Sequence, residues 1–328
     1  MAFQLKLNIY KFMLSPRKGE KDDYTFQKFF EGRFTPANSP FKKSEAYSML
    51  LERFLASFEG SFRENEDGTK AFRASLAKGE FAVASNKNMM YGLLQGGITN
   101  IDRDIYGKED GKQKGTLSRD KVASLQYFFL MWTPFDSNTG LIFIQSYSGL
   151  TINSCLFTHL KHFFGDLGHS FSSVSHTPEV FRERFLNKSY VQSVAVMLPH
   201  KVSGAGNPTK PTQGKIDTIK LKVEFSGFHN SVDEVFKILR KQKFWGIDYE
   251  SMSLASEQVV YYVDEAGHKS HAVLGAEDSI KPTIYLPDSL KQKNSEVVNL
   301  NSAYKYCCGI LEQIKEEEQY SICKCRLK

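Results

Sequence analysis

The chain has 328 residues, of which 41% are hydrophobic and 24% are charged, and this balance excludes an intrinsically disordered protein. The net charge of +6 is modest and permits a nucleic-acid partner. The basic residues are not concentrated in one segment, as they are in a dedicated DNA-binding domain. The five cysteines are an odd number and do not fit a secreted disulfide framework, so we expect a cytoplasmic protein.

The N-terminal half is predicted to contain one clear strand, two helices and an antiparallel meander. Residues 3–10 alternate between apolar and polar, which is the period of a half-buried strand. Apolar residues at helical spacing predict helices near 24–32 and 44–60. The meander is predicted to consist of strands at 80–85, 88–96, 98–106, 122–132 and 140–148. Its densest apolar run is too short to span a bilayer, so we expect no membrane association.

The C-terminal half alternates between helices and hairpins. Helices are predicted over 151–164 and 177–187, followed by a strand at 190–198. Residues 200–215 are rich in glycine, proline and lysine and resemble a linker. A strand at 218–228, a helix from Ser231, a hairpin at 257–275, a short strand and a helix at 301–317 complete the chain.

Consecutive hairpins, rather than alternating βαβ units, favour an α+β fold of mainly antiparallel mixed sheets with flanking helices. A boundary near residue 148 would give an N-terminal α+β region, 1–148, that contains the meander. The C-terminal α+β region, 149–328, would then carry a basic loop at 200–216. No linker marks this boundary, so a single domain is the alternative.

Asp102 and Asp104 are the candidate catalytic residues. They are two positions apart on a predicted strand, so their carboxylates are expected to point to the same side. Two adjacent carboxylates can hold a divalent ion for phosphodiester cleavage. The alternative is an ordinary polar strand face beside a charged loop, and no lysine and third acid complete a nuclease frame.

Cys155, His159 and His162 are predicted to share one face of a helix, because they lie at positions i, i+4 and i+7. Thiolate and imidazole are ligands that zinc prefers. No Cys-x-x-Cys pair accompanies them, and a buried cysteine with ordinary helical histidines explains the pattern. We therefore expect no metal site, and no cofactor unless the nuclease hypothesis holds.

The basic middle region is the candidate nucleic-acid-binding surface. A helix from Ser231 is predicted to place Val235, Ile238 and Leu239 on an apolar stripe with basic residues opposite. A basic loop and strand precede it, and together they could follow a phosphate backbone. The predicted contacts are Lys210, Lys215, Lys220, Lys222, Lys237, Arg240 and Lys241. The alternative is a solvated helix face without a ligand.

The sequence contains no HExxH, no GxSxG and no Walker lysine motif. These absences lower the enzyme hypothesis without excluding it.

Residues 132–164 (WTPFDSNTGLIFIQSYSGLTINSCLFTHLKHFF) and 185–199 (FLNKSYVQSVAVMLP) resemble uncharacterised bacterial proteins encoded beside anti-phage defence and mobile-element genes. In those proteins, a strand that begins with glycine and ends with glutamine and an aromatic residue runs into a helix, as it does from Gly140 to Tyr147. The resemblance implies a genetic context and transfers no catalytic residue.

The first expectation is therefore a component of a bacterial anti-phage defence system that binds nucleic acid or a partner protein, or forms a homo-oligomer. One alternative is a metal-dependent nuclease effector that uses Asp102 and Asp104. Another is a structural subunit of a larger complex, which docks through its phenylalanine-rich surface.

Overall fold

The computed structural model describes residues 4–19, 23–35, 39–58, 60–75, 77, 79–201, 218–241, 243–244, 247–248, 257–274, 276, 280–293 and 295–317. The chain forms two compact units. Unit 1 comprises Met1–His176 and Ile284–Lys328, and unit 2 comprises Thr177–Thr283. The described residues include the helices α1 (Phe26–Phe34), α2 (Lys43–Ala56), α3 (Asn153–Asp166), α4 (Glu179–Lys188), α5 (Val232–Arg240) and α6 (Leu300–Glu317).

Unit 1 is built on a nine-stranded sheet. The four long strands are β1 (Leu5–Pro16), β5 (Met89–Ile98), β8 (Ala123–Trp132) and β9 (Thr139–Tyr147). The shorter strands are β2 (Arg63–Glu64), β3 (Lys70–Ala74), β4 (Phe81–Ala84), β10 (His169–His176) and β17 (Ile284–Tyr285). The order is β10-β1-β9-β8-β5-β3-β2, with β17 paired to β1 and β4 paired to β5. A separate two-stranded ribbon consists of β6 (Arg103–Tyr106) and β7 (Gln113–Leu117).

Both faces of the unit 1 sheet are covered by helices. On one face, Phe12 of β1 packs against Phe26 of α1 and Phe164 of α3. On the other face, Tyr91 of β5 stacks on Tyr304 of α6 with ring centres 4.0 Å apart. Burial on both faces explains why β8 and β9 read as near-continuous apolar runs.

Unit 2 contains a four-stranded sheet in the order β12-β11-β15-β16. Its strands are β11 (Ser189–Lys201), β12 (Thr218–Asn230), β15 (Glu257–Asp264) and β16 (Lys269–Val273). A short hairpin of β13 (Lys243–Phe244) and β14 (Ile247–Asp248) also belongs to this unit. The core lies on one face of the sheet, where Phe185 of α4 and three residues of α5 join the inward residues of the strands.

Helix α5 is specified by its own sequence. Ser231 and Glu234 form a capping box, in which each side chain accepts a hydrogen bond from the other residue's backbone N–H. Val235, Phe236 and Leu239 are buried, whereas Ile238 is 41% exposed. The predicted apolar stripe was therefore wrong at Ile238, because the sheet contacts the side of the helix that carries Phe236.

The predicted α+β fold with mainly antiparallel sheets is confirmed, and every pairing between described strands is antiparallel. The predicted strand at 98–106 is divided, because β5 ends at Ile98 and β6 begins at Arg103. The boundary suggested near residue 148 falls inside unit 1. There, β1 pairs along one edge with β9, which precedes that boundary, and along the other with β10, which follows it.

Candidate nucleic-acid interface

The two faces of the unit 2 sheet differ in composition. Val194, Val196 and Val260 point into the core beneath α4 and α5. Alternation along the strands places Ser193, Tyr261 and Lys222 on the opposite face. We call this second face the open face, because no described helix of unit 2 contributes to it.

Four rings lie on the open face or beside it, in two pairs. Tyr190 of β11 and His229 of β12 are stacked, with ring centres 4.9 Å apart and an angle of 19° between the planes. Tyr261 of β15 and His271 of β16 are directly opposite each other in the ladder, with ring centres 5.7 Å apart. His229 and His271 are exposed, and the two tyrosines are partly exposed.

An ion pair on β12 lies close to the Tyr261 ring. The ammonium group of Lys222 lies 2.8 Å from a carboxylate oxygen of Glu224 and 5.3 Å from the centre of the Tyr261 ring. The other carboxylate oxygen of Glu224 accepts a hydrogen bond from the buried hydroxyl of Ser193 at 2.8 Å. The bond from Lys222, followed by that from Ser193, holds the pKa of Glu224 below its ordinary value. Glu224 is therefore a fixed carboxylate at neutral pH.

A β-bulge forms a cavity at one end of the open face. The register of β11 shifts between Val191 and Ser193 against both of its neighbours. Gln192 is an extra residue of β11 against β15, whereas against β12 the extra residues belong to β12, between Ser226 and Asn230. The cavity beside it has a volume of about 450 Å³. Its lining consists of Tyr190, Gln192, Ser193, Glu224, Ser226, Gly227, Phe228, His229 and Lys269.

The predicted basic residues do not form one continuous surface. Lys237, Arg240 and Lys241 are exposed in the last turn of α5, which packs on the core face. None of these three residues forms an ion pair with a residue that the structure describes, and their charges favour the C-terminal end of the helix dipole. Lys222 lies on the open face, on the other side of the sheet. Lys220 belongs to β12, and Lys210 and Lys215 lie outside the described residues.

Asp102 and Asp104 are exposed residues at the start of the β6–β7 ribbon of unit 1. Both carboxylate oxygens of Asp102 accept bonds from Arg119, one from the backbone N–H and one from the guanidinium Nε, each at 3.0 Å. Asp104 accepts bonds from Gln113 at 2.8 Å and Thr116 at 3.1 Å. Through these hydrogen bonds, both carboxylates connect β6 and its preceding residues to β7 and the residues that follow it.

A second cavity, of about 280 Å³, lies in unit 1 beside His159. The Ser57 hydroxyl donates its proton to the carbonyl of Phe54 at 2.6 Å, and its oxygen lies 2.9 Å from Nε2 of His159. When its one proton is directed to the Phe54 carbonyl, the Ser57 hydroxyl accepts a hydrogen bond from the Nε2–H tautomer of His159. Burial, followed by the charges of Arg63 and His162, lowers the pKa of His159 to about 4.

The same cavity does not assemble a metal centre from the helical cysteine and histidines. Among the residues that the structure describes, no three histidine, cysteine or acidic side chains are grouped as metal ligands. The Cys155 thiol donates to the Lys70 carbonyl, and burial raises its pKa, which disfavours the thiolate that a metal requires. The His159 ring instead stacks on Phe58, with ring centres 4.4 Å apart.

The rings of the open face were not singled out by sequence reasoning, which followed charge alone. The alternation of the strands does indicate these rings. Tyr190 is next to the buried Val191 and Tyr261 is next to the buried Val260, so each tyrosine is expected on the face away from the core. The bulge at Gln192 has no comparable signature, because only the pairing of β11 with two neighbours reveals it.

No family model, no curated protein and no solved structure matches this chain. In the described part of the chain, no helix is both long enough and apolar enough to cross a membrane.

Proposed function

We propose that unit 2 binds single-stranded nucleic acid across its open face. One observation carries the proposal: the two ring pairs, Tyr190–His229 and Tyr261–His271, lie on the face away from the core, with lysine ammonium groups close by. Aromatic rings provide stacking platforms for unpaired bases, and lysines provide contacts for the phosphates between them.

The arrangement favours a single strand over a duplex. In a duplex the flat surfaces of the bases are stacked on one another, so a ring on a sheet cannot reach them. A single strand can spread its bases over rings on neighbouring strands of the sheet. Lys222 and Lys269 lie at two ends of this face and supply the positive charge that a phosphate backbone attracts.

We also propose a second region that contacts phosphates, on the side of the sheet that carries α5. It consists of Lys237, Arg240 and Lys241. Their exposure and the absence of an ion-pairing partner in the described residues support this role. The resemblance to proteins encoded beside anti-phage defence genes adds a genetic context, in which the chain would be a nucleic-acid-binding component of a defence system. Docking of a partner protein on the same face is the competing outcome.

Fluorescence anisotropy of the full chain with labelled single-stranded RNA and DNA of about twelve nucleotides tests the proposal. The variant that carries both Tyr261→Val and His271→Val removes one ring pair and keeps residues that suit strands. We expect it to weaken binding by about 5-fold to 150-fold, the range for one lost stacking interaction.

The matched control is Tyr106→Val, which removes a 59% exposed ring from a strand of unit 1. This control should bind as tightly as the wild type. Equal weakening by both variants, or no binding by the wild type at low salt, would overturn the proposal and favour a protein partner.

A further inference from the structure

The cavity beside the bulge is a local depression in the open face. Its volume is about 450 Å³, and its lining includes Gln192, the extra residue of β11 against β15, and Gly227, one of the extra residues of β12 against β11. A bulge bends its strand and redirects side chains, which is how a flat sheet gains a local depression. The remainder of the open face has the regular register of an unbroken ladder from Ser193 to Met197.

One wall of this cavity is the stacked pair of Tyr190 and His229, which presents a preformed aromatic surface. Because the two rings are already stacked on each other, neither ring has to become ordered when a base enters the cavity. Preorganisation of this kind lowers the cost of binding.

The polar groups of the cavity include one carboxylate acceptor, on Glu224, and one ammonium donor, on Lys269. Glu224 lines the cavity and is held as a carboxylate by Lys222 and Ser193, each of which occupies one lone pair of a different oxygen. A carboxylate has about four acceptor positions, so each oxygen can accept a further bond. The hydroxyls of Ser193 and Ser226 and the amide of Gln192 can both donate and accept.

We propose that this cavity holds one unpaired nucleobase that carries an exocyclic amino group, and that Glu224 accepts a hydrogen bond from that group. The inference rests on the proposed function of the open face. Cytosine N4 offers two N–H donors to a carboxylate. Uracil places a carbonyl oxygen at the same position, and the carboxylate repels it, so the pocket distinguishes the two pyrimidines.

Oligocytidylate and oligouridylate RNA of about twelve nucleotides are the matched probes, because their bases differ only in the exocyclic group and in the hydrogen that the adjacent N3 of uracil carries. Wild-type full-length protein should bind oligocytidylate about 5-fold to 150-fold more tightly than oligouridylate, the range for one good base contact. Glu224→Gln keeps the shape of the side chain and should bring this ratio close to one. Glu265→Gln, an exposed acid in the turn after β15, changes the net charge equally and should leave the ratio unchanged.

The ratio of the affinities for oligocytidylate and oligouridylate distinguishes the proposed base pocket from the proposed single-strand binding by the open face. Equal, measurable binding of both RNAs by the wild type overturns the base pocket and leaves the proposed function standing. Binding of neither RNA overturns both. A wild-type preference for cytidine that Glu224→Gln does not reduce, with circular dichroism showing a folded variant, also overturns the role of Glu224.

Discussion

The ammonium group of Lys222 lies 5.3 Å from the centre of the Tyr261 ring and 2.8 Å from a carboxylate oxygen of Glu224. Lys222 was predicted from the sequence to contact phosphate, whereas the Tyr261 ring beside it was not among the predicted residues. The contact places a cation next to a surface on which a base can stack, so one side chain can hold a phosphate adjacent to that base.

Replacement of Lys222 with methionine should weaken the binding of single-stranded nucleic acid and reduce its salt dependence. One lost phosphate contact lowers the slope of log affinity against log salt by about 0.7 for a single strand. Anisotropy titrations at several salt concentrations measure this slope. Lys305→Met, an exposed lysine in α6 of unit 1, is the control and should leave the slope unchanged. A slope that both variants reduce equally would assign the effect to net charge.

Neutralisation of Lys237, Arg240 and Lys241 to glutamine should leave the fold intact and weaken nucleic-acid binding. All three residues are exposed, whereas the core residues of α5 are Val235, Phe236 and Leu239, so we expect the core to be undisturbed. The salt slope should fall by about 2 if all three contact phosphates. A thermal melt tests whether the variant keeps the fold, and the salt titration tests whether it loses phosphate contacts. An unchanged slope would exclude α5 from the interface.

Substitution of Asp102 and Asp104 with asparagine should cost less than about 1 kcal/mol, because exposed ion pairs and hydrogen bonds contribute little. We expect wild-type protein with Mg²⁺ or Mn²⁺ to leave labelled RNA and DNA uncut. Gel analysis over several hours measures this. Cleavage by the wild type that the double variant loses, at an unchanged melting temperature, would establish the nuclease alternative instead.

The stability of the protein should fall as the pH decreases from about 6.5 to about 4, and His159 should contribute to that fall. Burial lowers its pKa to about 4, from 6.5 in the unfolded chain, so the unfolded chain binds more protons in this window. The stabilisation is complete above pH 6.5 and amounts to at most about 3 kcal/mol. Urea unfolding of His159→Gln across this range should show a flatter pH profile than the wild type. His271→Gln, which replaces an exposed histidine of unit 2, should keep the wild-type profile.

Local patterns in the sequence predicted much of the fold and less of the candidate site. The alternation from Leu5 to Ile9 and the capping box at Ser231 each predicted an element correctly, because both signals act within a few residues. The division into two units depends on pairing between β1 and strands whose partner residues are at least 126 positions away, which no local pattern encodes. The cavity depends on a bulge, and the burial of Phe236 instead of Ile238 depends on how α5 docks on its sheet.

Photo-crosslinking of bound single-stranded RNA, followed by mass spectrometry of the peptides, tests whether the open face binds a single strand, because it reports both binding and location. We expect adducts on peptides that contain Tyr190, Tyr261 or His271, and their loss when unlabelled single strand but not duplex is added in excess. Adducts confined to unit 1, or no adduct under conditions in which a known RNA-binding protein is labelled, would contradict the proposed binding.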